Sequence, residues 1–473
     1  MKKIYPILMM LLMMTIMAST SLAADVKFFG EFYLQGWYDK NHSLLDKDSA
    51  DLDTNVSDDT DLRGSTAFYT QRLRMGADFM ITKGLMLGTR FDALSRKWMA
   101  ARRLVPPLET LKSTSDSEKE NIGMEVMYVI FDTPIGRWAA GTHTGGTRFS
   151  TGLGSVSNSI AWTYFTGPWS LTAMAKKGSD NGDIGEGTDS DSDTFSLIGQ
   201  YRWNTGLLYL RISDVHSRRC NNLPTGSYTC DLYVYSPIVR FKYGIFQFDW
   251  QANFVTGWSK KYNDDPPAGC NHVKAGNALN SRLNLEWDLA PARVGLYFIY
   301  NPGDDPNTTD KKEGHYRSGL DYDRSFNPCL LLWNEDYMHW FGGDTEGTPN
   351  TGTLAGNTGE RGITTYLDNV WMYQIYGNYN VTRKLNIGAS FTYAYADKKL
   401  TMDMRPASPS NPEFLSDKIG SELDVIMTYK IYDHLEYMAG FAYLWTGDYF
   451  KGTDPQTKLS DNYLLTHKLT LTF

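Results

Sequence analysis

The stretch Ile245–Phe254, IFQFDWQANF, decides how this chain is read. Phe246, Phe248, Trp250, Ala252 and Phe254 fall on one parity, and Gln247, Asp249, Gln251 and Asn253 fall on the other. Successive side chains of a strand point to opposite faces. The stretch therefore has one apolar, aromatic-rich face and one polar face that carries a charge. In a soluble sandwich such apolar faces converge on a shared core. In a membrane barrel they turn to lipid, and the polar faces enclose a wet lumen.

The pattern recurs from end to end. Val26–Tyr38 sets Phe28, Phe32, Leu34 and Tyr38 against Lys27, Glu31 and Gln35. Ala67–Ile81 sets Tyr69, Leu73, Met75, Ala77 and Phe79 against Thr70, Arg72, Arg74 and Asp78. Leu85–Ala93 opposes Leu87 and Phe91 to Arg90 and Asp92, and Ile122–Ile130 alternates around Glu125. Leu283, Leu285 and Trp287 oppose Arg282, Asn284 and Glu286; Leu423, Val425 and Met427 oppose Glu422, Asp424 and Thr428. Short turns are predicted at Thr82-Lys83-Gly84, 133–136, Gly167-Pro168, Asn204-Thr205, Tyr243-Gly244, Ala290-Pro291, Val381–Lys384 and Tyr432–His434. Longer connections separate them in strict alternation, which a barrel with short turns on one side and loops on the other requires. Greek-key crossovers of a sandwich would mix the two ends. The reading is an all-β, antiparallel transmembrane barrel of about 18 strands (16–18), occupying residues 24–473 as one domain.

Bulk composition agrees. The 473 residues are 41% hydrophobic and 14% aromatic, with 30 Tyr and 13 Trp. Only the extreme N-terminus is apolar enough to resemble a membrane helix. Residues 1–23 read as a secretory signal peptide: Lys2 and Lys3, an apolar run from Ile4 to about Met17, and the small-x-small site Ser21-Leu22-Ala23. Its removal leaves 44 basic against 54 acidic residues, a net charge of −10. That balance gives no support to nucleic-acid binding, which wants a basic footprint. No cysteine begins a CxxC or CxxCH motif, so neither a haem c nor a cysteine zinc site is expected, and no cofactor is predicted.

The chain ends on Phe473, preceded at steps of two by Leu471, Leu469, His467 and Leu465. A terminal Phe closing an alternating last strand resembles the assembly signal of Gram-negative outer-membrane barrels. The resemblance implies recognition of Leu469, Leu471 and Phe473 by the barrel-insertion machinery, and contact with outer-membrane lipid and lipopolysaccharide. His467 departs from the apolar preference at its position.

Closing about eight strands leaves a lumen filled by side chains, whereas sixteen to eighteen leave an aqueous channel. The strand count thus implies a porin that passes small hydrophilic solutes or ions passively. The inward-facing charges expected to line it are Arg72, Arg74, Arg90, Asp92, Glu125, Arg211, Arg240, Asp249, Arg282, Glu286, Glu422 and Asp424, with Glu31 beside them. Such charges set selectivity in water-filled pores. The Arg72-Arg74-Arg90 cluster reads either as an anion-attracting wall or as arginines bracing neighbouring acids. The architecture also resembles the alginate-export barrels, which implies a substrate-specific channel for an anionic polysaccharide. A sleeve around a partner protein is a third reading. Porins are often trimers, and the residues leave a homotrimer open.

Two loops are candidates to narrow the bore. One is glycine-rich Thr144–Asn158; the other is the long Asn301–Leu367, with Leu330-Leu331-Leu332-Trp333, Tyr337, Trp340 and Phe341. An apolar cluster in a long loop suggests packing, either as a plug or as a cap on the rim. Cys220 and Cys230 flank one outer loop and are expected to form a disulfide; Cys270 and Cys329 either form a second pair, which would staple the long loop, or stay free thiols. The Asp-rich stretches Asp46–Asp61 and Asp180–Asp193 lack full EF-hand spacing and read as solvated loops rather than a metal site. His143, Ser150 and Asp132 are the residues of a conceivable hydrolase triad, which is recognised by geometry alone; the expectation is a non-enzymatic protein.

Overall fold

A computed structural model describes residues 25–41, 44, 65–98, 122–144, 156–179, 192–219, 228–263, 265–266, 270–276, 278–314, 327–334, 367, 369–401, 408–409 and 411–473. The signal-peptide reading, the Asp-rich loop 46–61, most of the loops 144–158 and 180–193, Cys220, Tyr337, Trp340 and Phe341 lie outside the described residues.

The described residues form twenty strands: β1 (Asp25–Lys40), β2 (Ser65–Thr82), β3 (Leu85–Lys97), β4 (Ile122–Thr133), β5 (Gly136–Thr144), β6 (Val156–Thr166), β7 (Trp169–Ser179), β8 (Ser192–Trp203), β9 (Gly206–Arg219), β10 (Tyr228–Tyr243), β11 (Phe246–Tyr262), β12 (Val273–Ala275), β13 (Ala278–Leu289), β14 (Ala292–Asn301), β15 (Lys311–Lys312), β16 (Val370–Asn380), β17 (Leu385–Tyr395), β18 (Lys418–Tyr432), β19 (Leu435–Thr446) and β20 (Asn462–Thr472). Eighteen of them make the barrel. The two short ones, β12 and β15, pair in parallel with each other, and β12 also pairs along the outer end of β11. Each barrel strand pairs antiparallel with its neighbours in chain order. Among the described residues no helix is long and apolar enough to cross a membrane.

Closure comes from β1 pairing with β20, Glu31 opposite Thr472 through Lys40 opposite Tyr463. Lipid offers no hydrogen-bond partner, so an open edge would leave a row of unsatisfied backbone groups. The last residue completes the seam: Gly30 N–H donates to the Phe473 carbonyl at 2.8 Å, and Phe473 N–H donates back at 3.0 Å. The Phe473 ring lies where a Cβ on residue 30 would stand, so glycine is what admits it.

The outer face carries the predicted apolar parity. Phe28, Leu171, Phe195, Leu208, Leu210, Phe254, Leu296, Ile375 and Phe391 are exposed on it. Aromatic rings cluster near its ends, such as Trp169 on Tyr201 at 4.5 Å and Tyr443 on Trp445 at 4.9 Å, where amphipathic rings suit the headgroup level. His467 shares this face, its ring set against Tyr69 (5.6 Å) and Tyr437 (5.9 Å).

A continuous apolar cluster lies on the inside. Trp37, Ile299, Met372, Ala394, Ala442, Leu444 and Leu464 from the wall meet Cys329, Leu331, Leu332 and Trp333 from the long loop. Residues 327–334 therefore lie inside the barrel as a strap against its inner wall. The wall beneath is built of small inward residues, Ser390, Thr392, Ala394, Gly440 and Ala442, which leave room for it.

Candidate functional site

The lumen is the site, and its two walls differ. On the first wall, the register places Glu31 opposite Arg74, Tyr33 opposite Arg72, and Arg74 opposite Asp92. Arg74 grips Asp92 with Nε and Nη2 (2.7 and 2.8 Å) and reaches Glu125 at 3.0 Å. Arg90 reaches the same Glu125 oxygen at 2.8 Å, and Arg72 pairs with Glu31 at 3.3 Å. Glu125 gains this reach from a β-bulge: the register between β3 and β4 shifts from Arg90–Val126 to Phe91–Met124, leaving Glu125 as the extra residue. Bulges re-aim side chains in this way. Three arginines thus meet three carboxylates, so this sector braces the wall and carries no net charge. Tyr33 adds a further cationic contact, with Arg72 (4.9 Å) and Lys468 (4.3 Å) over its ring.

The sector from β7 to β13 differs. Arg211 lies opposite Ile198 on one side and Ser236 on the other. Among the described residues no carboxylate lies within ion-pair distance of Arg211 or of Lys176, and the Arg211 Nε is buried without a partner. Arg240 pairs with Asp249 at 2.8 Å, and Arg282 donates to Gln251 Oε1 at 2.8 Å. In these mid-barrel rows four inward cations share one carboxylate, while nearer the turns Lys242 pairs with Asp288 at 3.7 Å. Sequence parity identified Arg211, Arg240 and Arg282 but passed over Lys176. Its signal was the alternation of Thr172, Met174 and Lys176 against Leu171, Ala173 and Ala175, blurred by the doubled lysine. One row towards the turns, Glu286 is held by Arg293 (3.3 Å) and by the Tyr376 hydroxyl (3.0 Å). That hydroxyl reaches Glu286 and Asn284 because the opposing residue is Gly295, where any Cβ would collide with the Tyr376 ring.

Glu422 and Asp424 have the predicted inward parity, but they do not line an open bore. They are 0% and 2% exposed beneath the strap. Leu331 and Leu332 N–H donate to the two Glu422 oxygens at 2.7 and 2.8 Å. Leu330 N–H donates to Asp424 at 3.4 Å, and the Ser390 hydroxyl donates to its other oxygen at 3.1 Å. Gln374 Nε2 donates to the Pro328 carbonyl at 2.7 Å. The expected role as pore-lining charges is corrected for this pair: a loop 90 residues away in sequence covers them.

The staple between Cys270 and Cys329 is also corrected, since both are free thiols. Burial of the strap's leucines carries Cys329 into the barrel, where its Sγ donates to Thr392 Oγ1 at 3.4 Å, while Cys270 stays in the outer loop after β11. With Cys220 outside the described residues, its bond to Cys230 stays an expectation. Of the conceivable triad, Ser150 lies outside the described residues. Asp132 pairs with Arg137 at the turn joining β4 to β5, whereas His143 lies at the far end of β5. Six residues of strand separate those levels, roughly 20 Å at about 3.3 Å per residue.

Apolar outward faces, a closed seam and a charged interior define the class: this is a closed, eighteen-stranded antiparallel β-barrel with the face pattern of a membrane-spanning barrel. No family model matches the chain, and no curated protein matches it. Among solved structures it is similar to OccK9 (OpdG) of Pseudomonas aeruginosa, at 11% identity over 95% of this chain and 99% of that one, with a TM-score of 0.49. It is similar to OccAB2 of Acinetobacter baumannii at 12% identity over 94% and 98%, TM-score 0.47. The outer membrane channel DcaP of Acinetobacter baumannii aligns at 12% identity over 96% and 99%, TM-score 0.41.

Proposed function

We propose that the chain is a passive diffusion channel for small hydrophilic solutes or ions, and that it favours anions. The path runs between the strap and the wall from β2 to β13. The observation that carries the anion preference is the imbalance in the mid-barrel rows of β7 to β13, where Lys176, Arg211, Arg240 and Arg282 share Asp249, whereas the inward carboxylates nearer the turns, Glu286 and Asp288, are held by Arg293 and Lys242. In a pore, low-dielectric walls focus such a field and raise the local concentration of the opposite charge. The arginine fork suits carboxylate and phosphate groups, so organic anions are the solute class expected to slow and bind. The Arg72-Arg74-Arg90 sector contributes little to this preference, because its carboxylates neutralise it. A strap packed inside the lumen also weighs against a sleeve threaded by a partner protein.

The test is reconstitution in a planar bilayer with a salt gradient. A reversal potential on the anion side, and transient block of current by organic anions, are expected. A cation-selective conductance, or none, would refute the reading.

A further inference from the structure

We propose that Glu422 and Asp424 form a clamp that holds the strap 327–334 in the lumen, and that this grip, rather than the barrel diameter, limits the channel's width. The proposal rests on the channel reading above and adds the residues that position its constriction.

The polar contacts between strap and wall converge on a few groups. Three successive backbone N–H groups, of Leu330, Leu331 and Leu332, donate to two carboxylates that stand two residues apart on β18. The wall returns one amide, from Gln374 to the Pro328 carbonyl. The strap's own turn is closed by Asn334, whose amide donates to the carbonyls of Cys329 (3.4 Å) and Leu330 (3.0 Å). The grip therefore falls on backbone groups, and the leucine side chains are free to fill the apolar seat. Leu330 sits over Gly440, where a Cβ would stand 3.1 Å from its Cδ1.

Three terms compete at this seat. Burial of Leu331 and Leu332, at 0% and 2% exposure, favours the seated strap. So do the three backbone hydrogen bonds to the carboxyl oxygens. Against them stands the burial of two neighbouring carboxyl groups, which water in an open lumen would relieve. The balance of these terms seats the strap in the wild type and makes its seating depend on the clamp. When the strap leaves, the clamp residues join the lumen wall as two carboxylates facing the cationic sector. Release should thus widen the path and move its selectivity towards cations at once.

The test uses the full-length barrel and its native Cys329 as reporter. Folded wild type is treated in detergent with a membrane-impermeant maleimide, labelled peptides are mapped, and the same preparation is recorded in bilayers. Cys329 of the wild type should stay unlabelled until the protein is unfolded. In the double variant Glu422→Gln, Asp424→Asn, Cys329 should become labelled and the unit conductance should rise. Gly440→Phe fills the Leu330 seat without touching the clamp and covers the case in which the first variant fails to fold. It should give the same labelling and higher conductance, with the reversal potential displaced towards cations because both carboxylates then face water. Folded variants whose Cys329 stays protected and whose conductance equals wild type would overturn the clamp. Labelling that responds as expected in a protein that passes no current would instead refute the channel reading while leaving the clamp in place.

Discussion

Arg211→Glu is the substitution that bears most directly on the proposed anion preference. Arg211 lies on the inner face of β9 with no carboxylate partner among the described residues. An ion passing in water about 4 Å from a unit charge gains or loses about 1 kcal/mol. Exchanging arginine for glutamate turns that attraction for an anion into an equal repulsion, a change of about 2 kcal/mol. At about 0.1 M salt the Debye length is about 10 Å, which trims the change by about a third and leaves roughly 1.3 kcal/mol. That corresponds to close to a tenfold drop in local anion concentration. The assay is the reversal potential under a KCl gradient, compared between wild type and variant. The shift should be towards cations and should shrink strongly near 1 M salt, where screening acts over about 3 Å. The paired control is Glu31→Gln with Arg72→Gln, which removes one charge of each sign from a neutral sector and should leave the reversal potential in place. Coincident reversal potentials for wild type and Arg211→Glu, or an equal shift in the control, would refute the reasoning.

Three further outcomes follow from the geometry. Tyr376→Phe removes hydrogen bonds to Asn284 and Glu286; it should lower barrel stability by about 1–3 kcal/mol, read by denaturant unfolding in detergent or lipid, and an unchanged midpoint would count against that network. Gly30→Leu places a side chain where the Phe473 ring lies; the heat-modifiable folded band on a gel should weaken relative to wild type, while a full-strength band would show that the seam tolerates the bulk. Burial, reinforced by the Glu422 and Asp424 carboxylates, pushes the Cys329 thiol well above its ordinary range. A thiol reagent small enough to enter the lumen should therefore leave Cys329 unmodified as pH is raised through about 8.5, where an ordinary thiol ionises; rapid modification there would contradict the burial.

What the sequence by itself determined is everything that depends on neighbours along a strand. Alternation at Ile245–Phe254, Ala67–Ile81 and Leu423–Met427 assigned each residue to lipid or lumen, because the side-chain period of two is local to the backbone. The turns at Gly167-Pro168 and Asn204-Thr205 were legible for the same reason, and with them the antiparallel order and the strand count. Glu422 and Asp424 show where that logic stops. Their inward parity was readable, but the strap that covers them comes from 90 residues away, and nothing periodic in NPCLLLWN says which wall it will seek. Tertiary structure likewise decided that Arg72, Arg74 and Arg90 are neutralised, through a bulge that turns Glu125 towards two of them, while Arg211 and Lys176 are not. Faces follow from the chain's own geometry, but charge balance and occupancy of the lumen depend on which distant side chains closure brings within a few ångströms.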